Sequence, residues 1–103
     1  MNNLKCVIDL YNEGLYIVER GDTLKSIALK FNTTKNMIIL DNRLTEEVKQ
    51  NDYLYIKRYK TIYEIKVSDT LEGIANKFNL TKEEILRKNG INYIYPTLKI
   101  IID

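Results

Sequence analysis

Residues 20–31 read Arg20-Gly21-Asp22-Thr23-Leu24-Lys25-Ser26-Ile27-Ala28-Leu29-Lys30-Phe31, and 47 positions later the chain writes nearly the same line again, from Val67-Ser68-Asp69-Thr70-Leu71 to Phe78. The match widens without a gap to 16–44 against 63–91, where 13 of 29 pairs are identical, among them Tyr16/Tyr63, Lys30/Lys77, Thr34/Thr81, Ile38/Ile85 and Asn42/Asn89. Chance pairing would supply about two, so the chain is a duplication. After the paired Asn the likeness resumes at Leu54-Tyr55-Ile56 against Leu98-Lys99-Ile100, an offset of 44, which makes the second copy three residues shorter in that loop.

Within each copy the hydrophobic period changes in a fixed order. Tyr16-Ile17-Val18 and Tyr63-Glu64-Ile65-Lys66-Val67 contain β-branched and aromatic residues, the second with period-two alternation, and read as strands. Leu24, Ile27, Ala28, Phe31 and their partners Leu71, Ile74, Ala75, Phe78 fall at i, i+3, i+4, i+7, one apolar stripe of a short helix. Asp22 and Asp69 stand ahead of these helices as N-cap candidates, with Asp69-x-x-Glu72 a capping-box variant; Thr34 and Thr81 open the second helices, with Thr81-x-x-Glu84 a stronger box. These helices stop near Asn42 and Asn89-Gly90, and closing strands follow at Tyr53–Ile56 and Thr97–Ile102.

The expectation is an α+β chain of two tandem β-α-α-β units. Each unit would be a two-stranded antiparallel sheet with two helices packed on one face. The units span 16–57 and 63–103, joined by a short linker at 58–62 and preceded by an extension, 1–15. In that extension the alternation of Leu4, Cys6, Ile8 and Leu10 suggests an extra strand. Units this small are marginal without help, and mutual packing is the expected source of the missing stability.

Composition narrows the chemistry. Sixteen Lys and Arg against fourteen Asp and Glu leave +2, interspersed rather than gathered into a basic arm, so nucleic acid is not expected as a partner. Histidine is absent and Cys6 is the one cysteine, which excludes His-based triads, His or Cys zinc sets and an internal disulfide. No cofactor or metal is implied. No tract of eighteen apolar residues offers a membrane span, and Lys5, Asp9 and Glu13 break any secretory h-region, which points to an unexported chain. Glu46-Glu47 and Glu83-Glu84 are neighbours in sequence and read as solvated or capping acids, not as an acid–base pair.

A strand, then Gly-Asp-Thr-Leu-x-x-Ile-Ala-x-x-Phe, then a Thr-led helix, Asn, and a closing Leu-x-Ile resembles the LysM domain, here in two copies. The departures are Ser68 for the Gly before Asp69, Asn51 for the Gly of the last turn, and the shortened second loop with Pro96. The resemblance implies a non-catalytic binder of N-acetylglucosamine polymers, bacterial peptidoglycan foremost and chitin second. Its groove would lie between the strand-to-helix loop and the loop after the second helix. Carried over by position, the glycan-binding residues are Gly21, Asp22, Thr23, Leu24, Arg43, Leu44 and Thr45 in copy one, and Ser68, Asp69, Thr70, Leu71, Gly90, Ile91 and Asn92 in copy two. Copy one, with Gly21 and the longer loop, is expected to be the better site.

Tyr53, Tyr55, Tyr93 and Tyr95, from a set of eight tyrosines, could stack on sugars or cover the sheet. The alternative function is a protein-interaction module on the same scaffold, in spore-coat or phage-particle assembly. An Asn, Ile, Lys and Tyr content of 46 of 103 residues suits an AT-rich genome and gives an unexported copy pair a place to work. The mother-cell side of a spore, a phage particle and the wall after lysis are such places. The oligomeric state is left open.

Overall fold

Strand gives way to helix across the loop 18–23 in the computed structural model, which describes Ile8 and residues 11–103. Contacts divide the chain into two units, Met1–Tyr59 and Lys60–Asp103. The first holds β1 (Glu13–Ile17), α1 (Leu24–Phe31), α2 (Lys35–Asn42) and β2 (Tyr53–Lys57); the second holds β3 (Ile62–Glu64), α3 (Leu71–Lys77), α4 (Lys82–Asn89) and β4 (Lys99–Ile101). Each pair of strands is an antiparallel two-stranded sheet. The β-α-α-β order stands in both copies.

In the first unit, Tyr16 opposite Leu54 and Gly14 opposite Ile56 share the inner face of the sheet. Tyr16, Leu54 and Ile56 join Val18, Leu24, Ile27, Ala28, Phe31 and Ile38 in one core. Ile8 belongs to the same core, fully buried and itself helical, with its carbonyl accepting from Asn12 N–H at 2.7 Å. Leu4, Cys6 and Leu10, the other members of the suggested extra strand, lie outside the described residues. In the second unit Ile65, Ile74, Ala75, Ile85, Ile100 and Ile102 form the core, with Tyr63, Leu71, Phe78, Ile91, Ile94 and Leu98 packed against it.

The helix starts correct the Asp assignments. The N-caps are Thr23 and Thr70, whose hydroxyls accept from Ser26 and Gly73 N–H. The residue that caps is the one whose side chain reaches the third helical amide, and the aspartates sit one place too early for that. Copy one completes a reciprocal box, Thr23 N–H donating to Ser26 Oγ at 2.9 Å, whereas the proposed Asp69–Glu72 box does not form. Thr34 and Thr81 cap as expected, Thr81 in a full box with Glu84.

Helices α1 to α4 end alike, with a left-handed residue (Asn32, Arg43, Asn79 or Gly90) and a bond from the next N–H to the carbonyl five residues back. That is the Schellman arrangement.

The loop before the last strand is also corrected. Tyr16 pairs with Leu54 and Tyr63 with Ile100, so the closing strands correspond at an offset of 46 rather than 44. The true partners of Leu54 and Ile56 are Ile100 and Ile102, and the second loop is one residue shorter, not three. Leu98-Lys99-Ile100 mimics the closing motif, but Leu98 belongs to the preceding turn.

That turn follows one plan in both copies. Lys49–Asp52 and Tyr95–Leu98 are each closed by a bond from the fourth N–H to the first carbonyl, with the third residue, Asn51 or Thr97, at φ 77°. This is the type II signature, which welcomes Pro96 at its second position and wants Gly or Asn at its third. A β-branched Thr97 at positive φ is strained, so Thr97→Asn should stabilise the second unit by about 1 kcal/mol. An unchanged or lower midpoint in chemical denaturation would show that the strain has been overstated.

Candidate glycan-binding loops

The repeated residues build one brace twice. Tyr16 donates its hydroxyl proton to Asp22 Oδ2 at 2.6 Å while Glu19 N–H donates to the same oxygen at 2.8 Å; Tyr63, Asp69 and Lys66 repeat this at 2.7 Å for both bonds. Phe31 meets the Tyr16 ring edge-on at 5.2 Å, and Phe78 meets Tyr63 at 5.5 Å. Lys30 and Lys77 stand 5.1 Å and 4.9 Å from the Tyr16 and Tyr63 ring centres. Burial first, then the Asp22 carboxylate, pushes the Tyr16 phenol well above its ordinary value. The Lys66 backbone N–H, followed by the Tyr63 hydroxyl, holds the Asp69 carboxyl below its ordinary value. Tyr, Asp, Lys and Phe recur at an offset of 47 because together they fix the strand-to-helix loop.

That loop is a four-residue turn in each copy, closed by Asp22 N–H to Glu19 O and Asp69 N–H to Lys66 O, both at 3.0 Å. Gly21 has φ 87° whereas Ser68 is not among the positive-φ residues, so the same closing bond is made by two turn types. A type II turn favours glycine at its third position, where φ is positive, and a type I turn accepts serine. The two types differ by a flip of the central peptide. Copies one and two therefore present the Arg20–Gly21 and Val67–Ser68 peptides in opposite senses.

The second loop starts at the helix exit and is tied to the sheet by the paired Asn. Asn42 Nδ2 donates to Ile38 O and Tyr55 O, and its Oδ1 accepts from Tyr55 N–H at 2.7 Å. Asn89 does the same with Ile85 and Ile101, fully buried, at 2.9, 3.0 and 2.7 Å. Each side-chain amide stands in for a neighbouring strand, and from it the chain turns through Arg43 or Gly90.

The named site residues thus fall into two kinds. Leu24 and Leu44 pack on the first core, and Leu71 and Ile91 on the second. Gly21, Thr23, Arg43 and Thr45 are exposed, as are Ser68, Thr70, Gly90 and Asn92. Asp22 and Asp69 are half-buried, each with one carboxylate oxygen taken up by the brace. Their duplication is explained by holding the loop. The brace role of Tyr16 and Tyr63 was not read from sequence, although their identity at offset 47 was the signal for it. Among the described residues no group of three His, Cys, Asp or Glu is placed to hold a metal, and no helix is long and apolar enough to cross a membrane.

The model of the LysM domain matches residues 16–56 and 63–102. The chain belongs to the LysM domain family. Members of this family are binding modules for N-acetylglucosamine-containing glycans. No curated protein matches the chain.

Among solved structures, the spore cortex-lytic enzyme SleL of Bacillus cereus is similar at 20% identity and TM-score 0.44, over 89% of this chain and 23% of that one. SleL of Bacillus megaterium QM B1551 is 25% identical at TM-score 0.43, over 84% and 21%. The ectodomain of a receptor like kinase is 17% identical at TM-score 0.39, over 85% and 54%. This LysM chain thus spans under a quarter of either cortex-lytic enzyme, and superpositions this loose add nothing to the family assignment.

Proposed function

We propose that this LysM pair is a non-catalytic module that binds N-acetylglucosamine polymers, bacterial peptidoglycan first. Its two sites are Gly21–Leu24 with Arg43–Thr45, and Ser68–Leu71 with Gly90–Asn92. The observation that carries the reading is the twice-built pair of braces, Tyr–Asp on the first loop and the Asn amide on the second. Side chains that could bind a ligand are used to fix the main chain, which is what a site recognising acetamido groups through backbone N–H and C=O requires. Ile91, half-buried against the second core, supplies apolar ground for acetyl methyls, whereas Leu24 is buried in the first core. Asp22 and Asp69 serve as positioning residues.

Purified protein should be retained on insoluble peptidoglycan, and on chitin to a lesser degree, after a salt wash that strips charge-driven adsorption. No soluble sugar or peptide should be released. Retention on neither polymer would sink the glycan reading, and a defined protein partner retained in its place would favour assembly in a spore coat or phage particle.

A further inference from the structure

We infer that Tyr93 and Tyr95 form a stacking platform for the pyranose rings of the glycan, which makes copy two the tighter of the two sites. The inference rests on the glycan reading above and adds to it a residue pair and a rank order. It reverses the order expected from loop length.

The two side chains stand 70% and 48% exposed, with ring centres 6.1 Å apart and planes inclined at 46°. They open outward from the loop because its other apolar residues, Ile91, Ile94 and Leu98, pack inward on the second core. The Pro96–Thr97 turn, closed by Leu98 N–H on Tyr95 O at 3.2 Å, fixes the far end of the platform. At the near end it runs directly on from Gly90–Asn92. Neither tyrosine hydroxyl has a hydrogen-bond partner among the described residues.

The fold does not call for aromatic residues at these places. The corresponding bond in copy one, Asp52 N–H on Lys49 O at 3.0 Å, makes Lys49 the counterpart of Tyr95. Val48, packed on the first core as Ile94 is on the second, makes Glu47 the counterpart of Tyr93. Copy one therefore fills the same exposed positions with one acid and one base. Two exposed rings on a fixed loop leave apolar area in water that a ligand can cover. A pyranose suits them: its C–H face covers the ring, and its hydroxyl and acetamido edges meet the tyrosine hydroxyls and the backbone of Gly90–Asn92.

The test compares three full-length proteins by calorimetric titration with a chitin hexamer, with amide and tyrosine ring resonances followed in parallel. They are wild type, Tyr93→Glu/Tyr95→Lys, which installs copy one's residues, and Glu47→Tyr/Lys49→Tyr, which does the reverse. Because each loop already carries the exchanged residues in the other copy, both variants should keep the wild-type amide spectrum outside the changed loop. The first should bind about tenfold more weakly and lose the shifts at Ser68–Leu71 while keeping those at Asp22–Leu24; the second should bind more tightly than wild type. Equal affinity of Tyr93→Glu/Tyr95→Lys and wild type would overturn the platform and leave the glycan reading standing. A wild-type protein that binds no glycan would overturn both.

Discussion

Asn89→Ala should cost the second unit about 3–5 kcal/mol, the largest loss expected from deleting one buried polar side chain among the described residues. The wild-type amide makes three bonds in a site where Asn89 is 1% exposed, and two of them satisfy the N–H and C=O of Ile101, a residue with no exposure at all. Alanine would leave both backbone groups buried and unpaired, at about 1–3 kcal/mol each, besides releasing Ile85 O. At roughly 0.05–0.15 kcal/mol per residue, a unit of this size has only a few kcal/mol to lose. Amide exchange of Ile100–Ile102 should approach the unprotected rate in Asn89→Ala while the first unit keeps its protection. Asn42→Ala should be milder, since Asn42 is only half-buried and water can replace part of what is lost. Wild-type protection at Ile100–Ile102 in Asn89→Ala would show that the amide is not what anchors β4.

What could be read in advance followed the physics of each signal. The 3.6-residue stripe of Leu24, Ile27, Ala28 and Phe31 gave its helix because burial of that stripe is what the core is made of. Asn51 at the last turn was legible because asparagine tolerates positive φ. The Asp residues were misread as caps because Asp and Thr stand side by side and both types cap helices. Only the brace from Tyr16 and Tyr63, six residues upstream, decides which does so. The loop length was misread because Leu98-Lys99-Ile100 imitates the closing motif in an isoleucine-rich strand, where Ile100 and Ile102 serve equally well. Register in such a strand is set by pairing with Tyr63 and by the Asn89 tie, neither of which is local. The same hidden offset obscured the correspondence of Tyr93 and Tyr95 with Glu47 and Lys49, which appears only after the strands are paired.

A strong rise of affinity with glycan length is the second large effect expected, and it follows from duplication. A single shallow site makes few contacts against the entropy of association, so a short oligomer filling one copy should bind in the high-micromolar to millimolar range. Once a chain is long enough to engage both copies, the second contact becomes intramolecular and the apparent affinity should climb by roughly a hundredfold. Flat affinity above the length of one site would show that the copies act independently. The same experiment addresses the proposal that this LysM pair binds N-acetylglucosamine polymers at all. Calorimetric titration of the full chain with a series of N-acetylglucosamine oligomers, from the dimer to soluble polymer, should give saturable heat that sharpens with length; absence of heat at every length would contradict it.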